Sequence, residues 1–141
     1  MQIIWYAAGA PYVESQAIRR AVFIEEQGYS ETEEFDDLDA VSPHVVLFDE
    51  AEPIATGRLI LEPNGIAKLG RIAVLKTYRG KHCGQKIVLS LLERAKKVGA
   101  VTAKISAQTH AVPFYEKFGF QAYGDVYLEG NIPHIAMQMQ L

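Results

Sequence analysis

The sequence predicts an α+β domain in which helices flank a mixed, mostly antiparallel twisted sheet. Two observations support this prediction. Three β-like segments follow one another across short turns at residues 44–48, 54–61 and 66–74, a pattern typical of antiparallel hairpins. Further on, an amphipathic helical segment stands between two alternating segments, which indicates a strand-helix-strand crossover.

The first quarter of the chain predicts a short strand followed by a helix. Ile3 and Trp5 alternate with their neighbours in a β-like pattern. Pro11 follows a glycine turn, and proline favours the first turn of a helix. The apolar residues that then recur at helical spacing up to Gln27 are Val13, Ala17, Ile18, Ala21, Val22 and Ile24. The acidic segment that follows is expected to lie outside the core, because it is so highly charged.

The middle of the chain predicts three antiparallel strands in succession. The segments 44–48 and 54–61 form a hairpin around the turn 49–53, and the turn 63–65 leads into the strand 66–74. Gly70 lies inside that last strand, where glycine marks either a bulge or a close approach of another backbone.

The second half begins with the clearest helix of the chain. Its apolar stripe consists of Ile87, Val88, Leu91, Leu92, Ala95 and Val98, and Gly99 is a natural left-handed stop. Residues 101–108 then alternate as a strand, and Pro113 opens a short helix that Gly119 closes. Residues 120–123 and 135–139 are predicted strands on either side of a turn at 129–131.

The length and composition fit a single domain over residues 1–141. The chain has 141 residues with 49% hydrophobic and 22% charged residues, enough for one core without cross-links. Its one cysteine, Cys83, has no partner for a disulfide, which favours the reducing cytoplasm. The N-terminal residues show no signal-peptide pattern, and no apolar run approaches the ~20 residues that span a membrane, so no membrane association is expected.

The charge distribution is uneven. A net charge of −3 argues against a general nucleic-acid binder. Eight of the 17 acidic residues lie between Glu25 and Asp39, so the rest of the chain, with all 14 basic residues, carries a formal +5. A basic cluster follows at Lys76, Arg79, Lys81 and Lys86. This pattern indicates either two ligand ends of opposite sign or simply solvated loops.

The segment 76–85 joins a predicted strand to the clearest helix. A glycine-containing turn before a helix presents free backbone N–H groups and the positive end of the helix dipole, which together bind phosphate or pyrophosphate. The spacing of a Walker loop and that of a dinucleotide fingerprint are both missing. The alternative is an ordinary helix start that binds nothing.

This segment resembles the acetyl-CoA loop of the GNAT superfamily of N-acyltransferases, whose pattern is Q/R-x-x-G-x-G/A. The match runs from Arg79 to Gly84 and follows Arg71-Ile72-Ala73-Val74. Residues 114–120 resemble the family's closing F-Y-x-x-x-G-F element, and residues 22–27 and 132–135 resemble a small bacterial ElaA-like subgroup. The similarity covers nearly the whole chain in order, so the resemblance implies the GNAT fold.

The resemblance implies acetyl-CoA as co-substrate and a set of residues that bind it. Backbone groups of Ile72, Ala73 and Val74 would face the acetyl-pantetheine arm. The residues that would cradle the pyrophosphate are Arg79, Gly80, Lys81, His82, Cys83 and Gly84, extended by Gln85. His82 departs from the family pattern, which has glycine there, so it must accept a glycine-like backbone geometry or the loop must differ.

The resemblance also implies the catalytic residues. Tyr115 is the position expected near the CoA sulfur, where a tyrosine serves as the acid for the departing thiolate. His134 is the first choice for a substrate or proton-relay role, with a structural histidine as the alternative. Further candidates for a base are Glu25, Glu26, Asp36, Asp37, Glu62 and His110. The four histidines lack ligand spacing, so no metal is expected.

These inferences predict an N-acetyltransferase that acts by direct attack in a ternary complex on a small-molecule or peptide amine. If Glu33, Asp36 and Asp37 line the acceptor entrance, a cationic amine is favoured. One alternative is a CoA-binding sensor or interaction module without transfer activity, and another is an α+β domain whose basic loop is only solvated surface. Exposed edge strands are also compatible with a homodimer.

Overall fold

The computed structural model describes all 141 residues, and they form one open seven-stranded sheet in the order β1-β2-β3-β4-β5-β7-β6. The strands are β1 Gln2–Tyr6, β2 His44–Asp49, β3 Glu52–Glu62, β4 Ile66–Val74, β5 Thr102–Gln108, β6 Gln121–Glu129 and β7 Ile132–Gln140. Strands β4 and β5 run parallel, and every other neighbouring pair is antiparallel. The predicted mixed, mostly antiparallel sheet is therefore confirmed.

Four helices flank the sheet. They are α1 Val13–Arg19, α2 Glu31–Glu34, α3 Cys83–Lys97 and α4 Val112–Glu116. The first helix continues as a π-helical segment over Arg20–Glu26, where the N–H of Gln27 donates to the carbonyl of Val22, five residues back. The helix predicted up to Gln27 thus has the expected length, but its second half is π-helical and therefore wider than an α-helix. No helix is long and apolar enough to cross a membrane.

Helices α1 and α3 pack on opposite faces of the sheet. Val45 and Leu47 of β2 join the large core under α3, whereas Val46 between them joins the smaller core under α1. This alternation follows from the two-residue period of a strand. Gly57 of β3 allows α3 to approach closely, because a Cβ there would lie 2.8 Å from Leu91 Cδ1 and 2.9 Å from Ile87 Cγ2.

A β-bulge follows Gly70 in β4. A bulge was one of the two roles predicted for that glycine. Thr56 pairs with Ala73 and Arg58 pairs with Gly70, so two residues of β4 lie opposite one residue of β3. Arg71 is one of the two bulge residues and has a positive φ of 51°. The bulge bends β4 at the point where its pairing with β5 ends.

The predicted strand at residues 120–123 is too short, because β6 extends to Glu129. Every residue of β6 is exposed, and Gly124 adopts a positive φ of 75°. A strand that faces solvent on both sides lacks the alternation of apolar and polar residues by which a half-buried strand is recognised.

The acidic segment is not confined to the surface, and this expectation was wrong. Glu34 and Asp39 are buried around Arg19, whose side chain is completely inaccessible. Arg19 donates from Nε to Glu34 Oε2 and from Nη1 to Asp39 Oδ1, both over 2.7 Å. Arg58 adds a bond of 2.9 Å to Asp39 Oδ1. Charged residues enter the core here because oppositely charged partners from other elements surround them.

The two buried carboxyl groups respond to this network in opposite directions. Burial raises the pKa of Glu34 and outweighs the charges of Arg19 and Arg71. For Asp39 burial acts in the same direction, but the hydrogen bonds and charges of Arg19 and Arg58 outweigh it, and the pKa is lowered. Asp39 therefore stabilises the fold at neutral pH and loses this contribution as the pH falls through its lowered pKa, whereas Glu34 favours folding more as the pH falls.

Candidate active site

A cleft of about 1770 Å³ runs along the sheet where β4 and β5 separate. The two strands pair only from Ile66 to Leu69 and from Thr102 to Ile105. Beyond that point Gly70, Ala73 and Val74 pair with β3 alone, and residues 106–108 pair with β7 alone. Backbone groups that face the gap therefore have no strand partner, and such groups bind an amide-containing ligand in extended conformation. Ile72, Ala73 and Val74 all line this gap.

The loop before α3 forms one end of the cleft. Gly80 and His82 both have positive φ, and the first helical hydrogen bond of α3 runs from Lys86 N–H to His82 carbonyl. The preceding N–H groups of the helix, from Cys83 to Gln85, have no partner one turn back, which suits them to an anion. The predicted loop residues that line the cleft are Arg79, Gly80, His82, Cys83, Gly84 and Gln85.

Lys81 is the one predicted cofactor residue that does not line the cleft. Its ammonium group lies over the ring of Tyr78, 5.5 Å from the ring centre. The Cys83 side chain is buried in the core, so its place at the cleft rests on its backbone.

Arg79 is held by neighbours on two elements. Its Nη1 and Nη2 donate to the carboxylate of Glu26 over 2.9 and 2.8 Å, and its Nε donates to the carbonyl of Val74 over 3.0 Å. The guanidinium group thereby ties the loop to β4 and to the end of the π-helical segment. A phosphate bound at this position has to share Arg79 with Glu26.

His82 adopts the left-handed conformation, with φ 64° and ψ 17°. The side chain that replaces the family's glycine therefore accepts the glycine-like backbone, which was the first of the two expected outcomes. This conformation costs a residue with a Cβ about 1–2 kcal/mol relative to the right-handed form, and glycine avoids the cost.

Replacing His82 by glycine is accordingly expected to give a protein more stable than the His82→Ala variant by about 1 kcal/mol. Both variants remove the imidazole, so the comparison isolates the backbone strain. Urea unfolding of the two variants measures the difference. An alanine variant as stable as the glycine variant would contradict a strained left-handed residue at this position.

Tyr115 of α4 lies in the wall of the cleft and is 8% exposed. Its ring packs edge-on against Phe114 and Phe120. The hydroxyl makes no hydrogen bond within the chain, and it is not among the fully enclosed polar atoms that lack a partner, so it retains access to the cleft. Burial raises the pKa of Tyr115. The phenol therefore stays protonated and can act as a proton donor.

His134 of β7 also lines the cleft and is 5% exposed. Its Nδ1 lies 2.8 Å from the carbonyl oxygen of Ile132, and its Nε2 lies 3.5 Å from Oε2 of Glu129. Sequence reasoning placed Glu129 in a turn and gave it no role. Glu129 is the last residue of β6 and pairs with Ile132, two residues before His134, and the sequence pattern of β6 carries no signal of this contact.

The acidic segment contributes less free negative charge to the cleft than the sequence suggested. Glu33 and Asp36 line the cleft, but Asp37 does not. Asp36 is paired with Arg58 and Arg71 over 2.7 and 3.2 Å. Of the other candidate bases, His110 lines the cleft, whereas Glu25, Glu26 and Glu62 do not. No cluster of side chains could hold a metal ion.

Two contacts that sequence reasoning missed join the chain after the π-helical segment to the strands on the other side of the cleft. The side-chain amides of Gln27 and Gln108 face each other, and Gln108 Nε2 donates to Gln27 Oε1 over 2.9 Å. The hydroxyl of Tyr29 donates to the main-chain carbonyl of Glu129 over 2.7 Å. These contacts fix the chain after the π-helical segment against β5 and the end of β6.

Comparison with known proteins agrees with this architecture. The family model described as an acetyltransferase (GNAT) domain matches residues 10–141. The uncharacterized protein YyaT of Bacillus subtilis is 40% identical over 131 residues, which cover 91% of this chain and 88% of YyaT.

Two solved structures extend the similarity to nearly the whole chain. Escherichia coli ElaA has a TM-score of 0.86 at 27% identity, covering 98% of this chain and 99% of ElaA. An acyl-CoA N-acyltransferase from Pseudomonas aeruginosa has a TM-score of 0.84 at 27% identity, with coverage of 98% and 99%.

Proposed function

The chain belongs to the acetyltransferase (GNAT) family, and on that basis we propose that it is an acetyl-CoA-dependent N-acetyltransferase that acts on a primary amine. The acetyl group passes by direct attack within a ternary complex, without an acyl-enzyme. The acceptor is a small molecule or a peptide amine. We place this activity in the cytoplasm, because the lone cysteine suits a reducing compartment.

The observation that carries the proposal is the separation of β4 from β5 next to the start of α3. The gap exposes unpaired backbone groups at residues 72–74, and the helix start presents N–H groups and the positive end of its dipole. The first feature suits the amide-containing pantetheine arm, and the second suits the pyrophosphate. Gly80 leaves open space beside the loop, since a Cβ there would meet nothing within 4 Å.

The bound acetyl-CoA supplies a thioester carbonyl, which an amine can attack. The protein binds the arm along the edge of β4 through residues 72–74, and the loop from Arg79 to Gln85 holds the phosphates. The unpaired backbone N–H groups of the bulged strand also stabilise the negative oxygen that develops during attack. Tyr115, which lines the cleft and is protonated at neutral pH, donates a proton to the departing thiolate.

The proposal is tested by incubating the purified chain with acetyl-CoA and a panel of amines: 1,5-diaminopentane, glucosamine and Nα-acetyl-lysine amide. Transfer is followed by release of free thiol and by the mass of the acetylated amine. Amine-dependent thiol release with a matching product supports the proposal. Binding of acetyl-CoA without acetylation of any amine would instead support a CoA-binding sensor or interaction module.

A further inference from the structure

A chain of hydrogen bonds holds Glu129 at the far side of the gap from the acetyl-CoA loop. The hydroxyl of Tyr127 donates to Ser106 Oγ, and Ser106 Oγ donates to Glu129 Oε1 over 2.7 Å. Tyr29 fixes the main-chain carbonyl of the same residue from the opposite side. The Ser106 hydrogen bond to Oε1 therefore fixes the position of the carboxylate. The Glu129 side chain lines the cleft and is 44% exposed.

The second oxygen of this carboxylate, Oε2, faces Nε2 of His134, which is a hydrogen-bond acceptor in the neutral ring. The carbonyl of Ile132 requires a proton on Nδ1 of His134, so the neutral ring presents the lone pair of Nε2. Nε2 and Glu129 Oε2 are 3.5 Å apart, longer than the about 2.7–2.9 Å of a charge-assisted hydrogen bond. A nitrogen placed beside this pair, and not between the two atoms, can approach both of them to about 2.8 Å, so the pair suits a cation with several N–H donors.

Glu129 differs from Glu34 and Asp36, two other carboxylates that line the cleft. Glu34 is paired with Arg19 and Arg71, and Asp36 is paired with Arg58 and Arg71. No arginine or lysine is paired with Glu129. Its charge is therefore available to a ligand, whereas the charges of Glu34 and Asp36 are already offset.

We propose that Glu129 Oε2 and His134 Nε2 together accept hydrogen bonds from the ammonium group of the acceptor amine, which lies beside the pair, and that Glu129 accepts its proton. This inference rests on the proposed acetyltransferase function. The substrate class is an amine that is protonated when it binds. Ser106 and Tyr127 are positioning residues, because they fix the carboxylate without touching the acceptor.

The proton transfers balance as follows. One N–H bond of the ammonium group breaks, and its proton passes to Glu129 Oε2. The freed lone pair attacks the thioester carbonyl carbon, the C–S bond breaks, and Tyr115 protonates the thiolate. The nitrogen then loses its second proton, which restores Tyr115 through solvent, and Glu129 releases its proton to solvent.

The test compares Glu129→Gln with wild type for the three panel amines. We expect the dissociation constant of the amine to be about tenfold larger in the variant, measured by isothermal titration in the absence of acetyl-CoA. We also expect kcat/KM to fall by at least the same factor. The KM for acetyl-CoA is expected to stay within about twofold. Asp125→Asn is the matched control, because Asp125 is an exposed carboxylate on the same strand outside the cleft.

A second comparison uses ethylamine and 2,2,2-trifluoroethylamine, which are respectively charged and largely uncharged at neutral pH. We expect Glu129→Gln to lose amine affinity and kcat/KM for ethylamine but not for the fluorinated amine. Any of three results would overturn the ammonium site. They are equal effects of the substitution on both amines, wild-type-like binding and turnover in Glu129→Gln, and no amine binding to the wild type. If wild-type transfer persists in those cases, the proposed function stands, whereas absence of transfer to every amine overturns the function itself.

Discussion

Replacing Tyr115 by phenylalanine is expected to lower kcat for acetyl transfer about 100-fold, the lower end of what a positioned acid contributes. The proton for the departing thiolate comes from the Tyr115 hydroxyl, and phenylalanine has none to give. The substitution keeps the aromatic ring that packs against Phe114 and Phe120. It also removes a hydroxyl that has no hydrogen-bond partner in the chain, so the free energy of unfolding should not fall.

Steady-state kinetics measure this effect, with the dissociation constant of CoA as a check on binding. That constant is expected to stay within about twofold of the wild-type value, since the lost interaction acts in the transition state. Tyr123→Phe is the control, because Tyr123 is an exposed tyrosine of β6 outside the cleft. Turnover of Tyr115→Phe equal to that of the control would remove Tyr115 from the mechanism.

Replacing Arg19 by alanine is expected to lower the free energy of unfolding by about 3–5 kcal/mol. The substitution removes the completely buried partner of Glu34 and Asp39 and leaves them only Arg71 and Arg58, and an incompletely compensated buried carboxylate is costly. Arg19 donates hydrogen bonds to both side chains and to the main-chain carbonyl of Glu34. Its loss removes all of these contacts at once. Urea unfolding with a fitted m-value measures the change.

The neighbouring residue is a matched control. Arg20 also pairs with a carboxylate, Glu31, over 2.8 Å, and both Arg19 and Arg20 lie over the ring of Phe35. Its side chain is 46% exposed, so Arg20→Ala should cost less than about 1 kcal/mol. Similar losses in the two variants would show that the buried network adds nothing beyond a surface ion pair.

Most of the fold could be predicted from periodicity. The apolar run at 44–48, the alternation in 54–61 and 66–74, the helical stripe of α3 and the glycine at the bulge all correspond to elements of the structure. The burial of Arg19 could not be predicted. Its partners lie 15 and 20 residues away in an acidic segment, and single-residue hydrophobicity does not reveal which charges a fold brings together.

The candidate site divides in the same way. The loop from Arg79 to Gly84 and Tyr115 could be proposed as site residues from the sequence, because they belong to local motifs whose residues follow one another along the chain. Glu129 and its partner His134 meet only through the pairing of β6 with β7, and β6 carries no apolar pattern. A contact that depends on strand pairing is invisible until the register is known.

The central claim is that the gap between β4 and β5, together with the start of α3, binds acetyl-CoA. The most direct measurement is the thermal unfolding midpoint with acetyl-CoA, with CoA, and with ATP and NAD as controls. A ligand at a hundred times its dissociation constant adds about 2.7 kcal/mol, which raises the midpoint of a domain of this size by several degrees. We predict this shift with acetyl-CoA and CoA alone. No shift at saturating acetyl-CoA, or an equal shift with NAD, would contradict the claim.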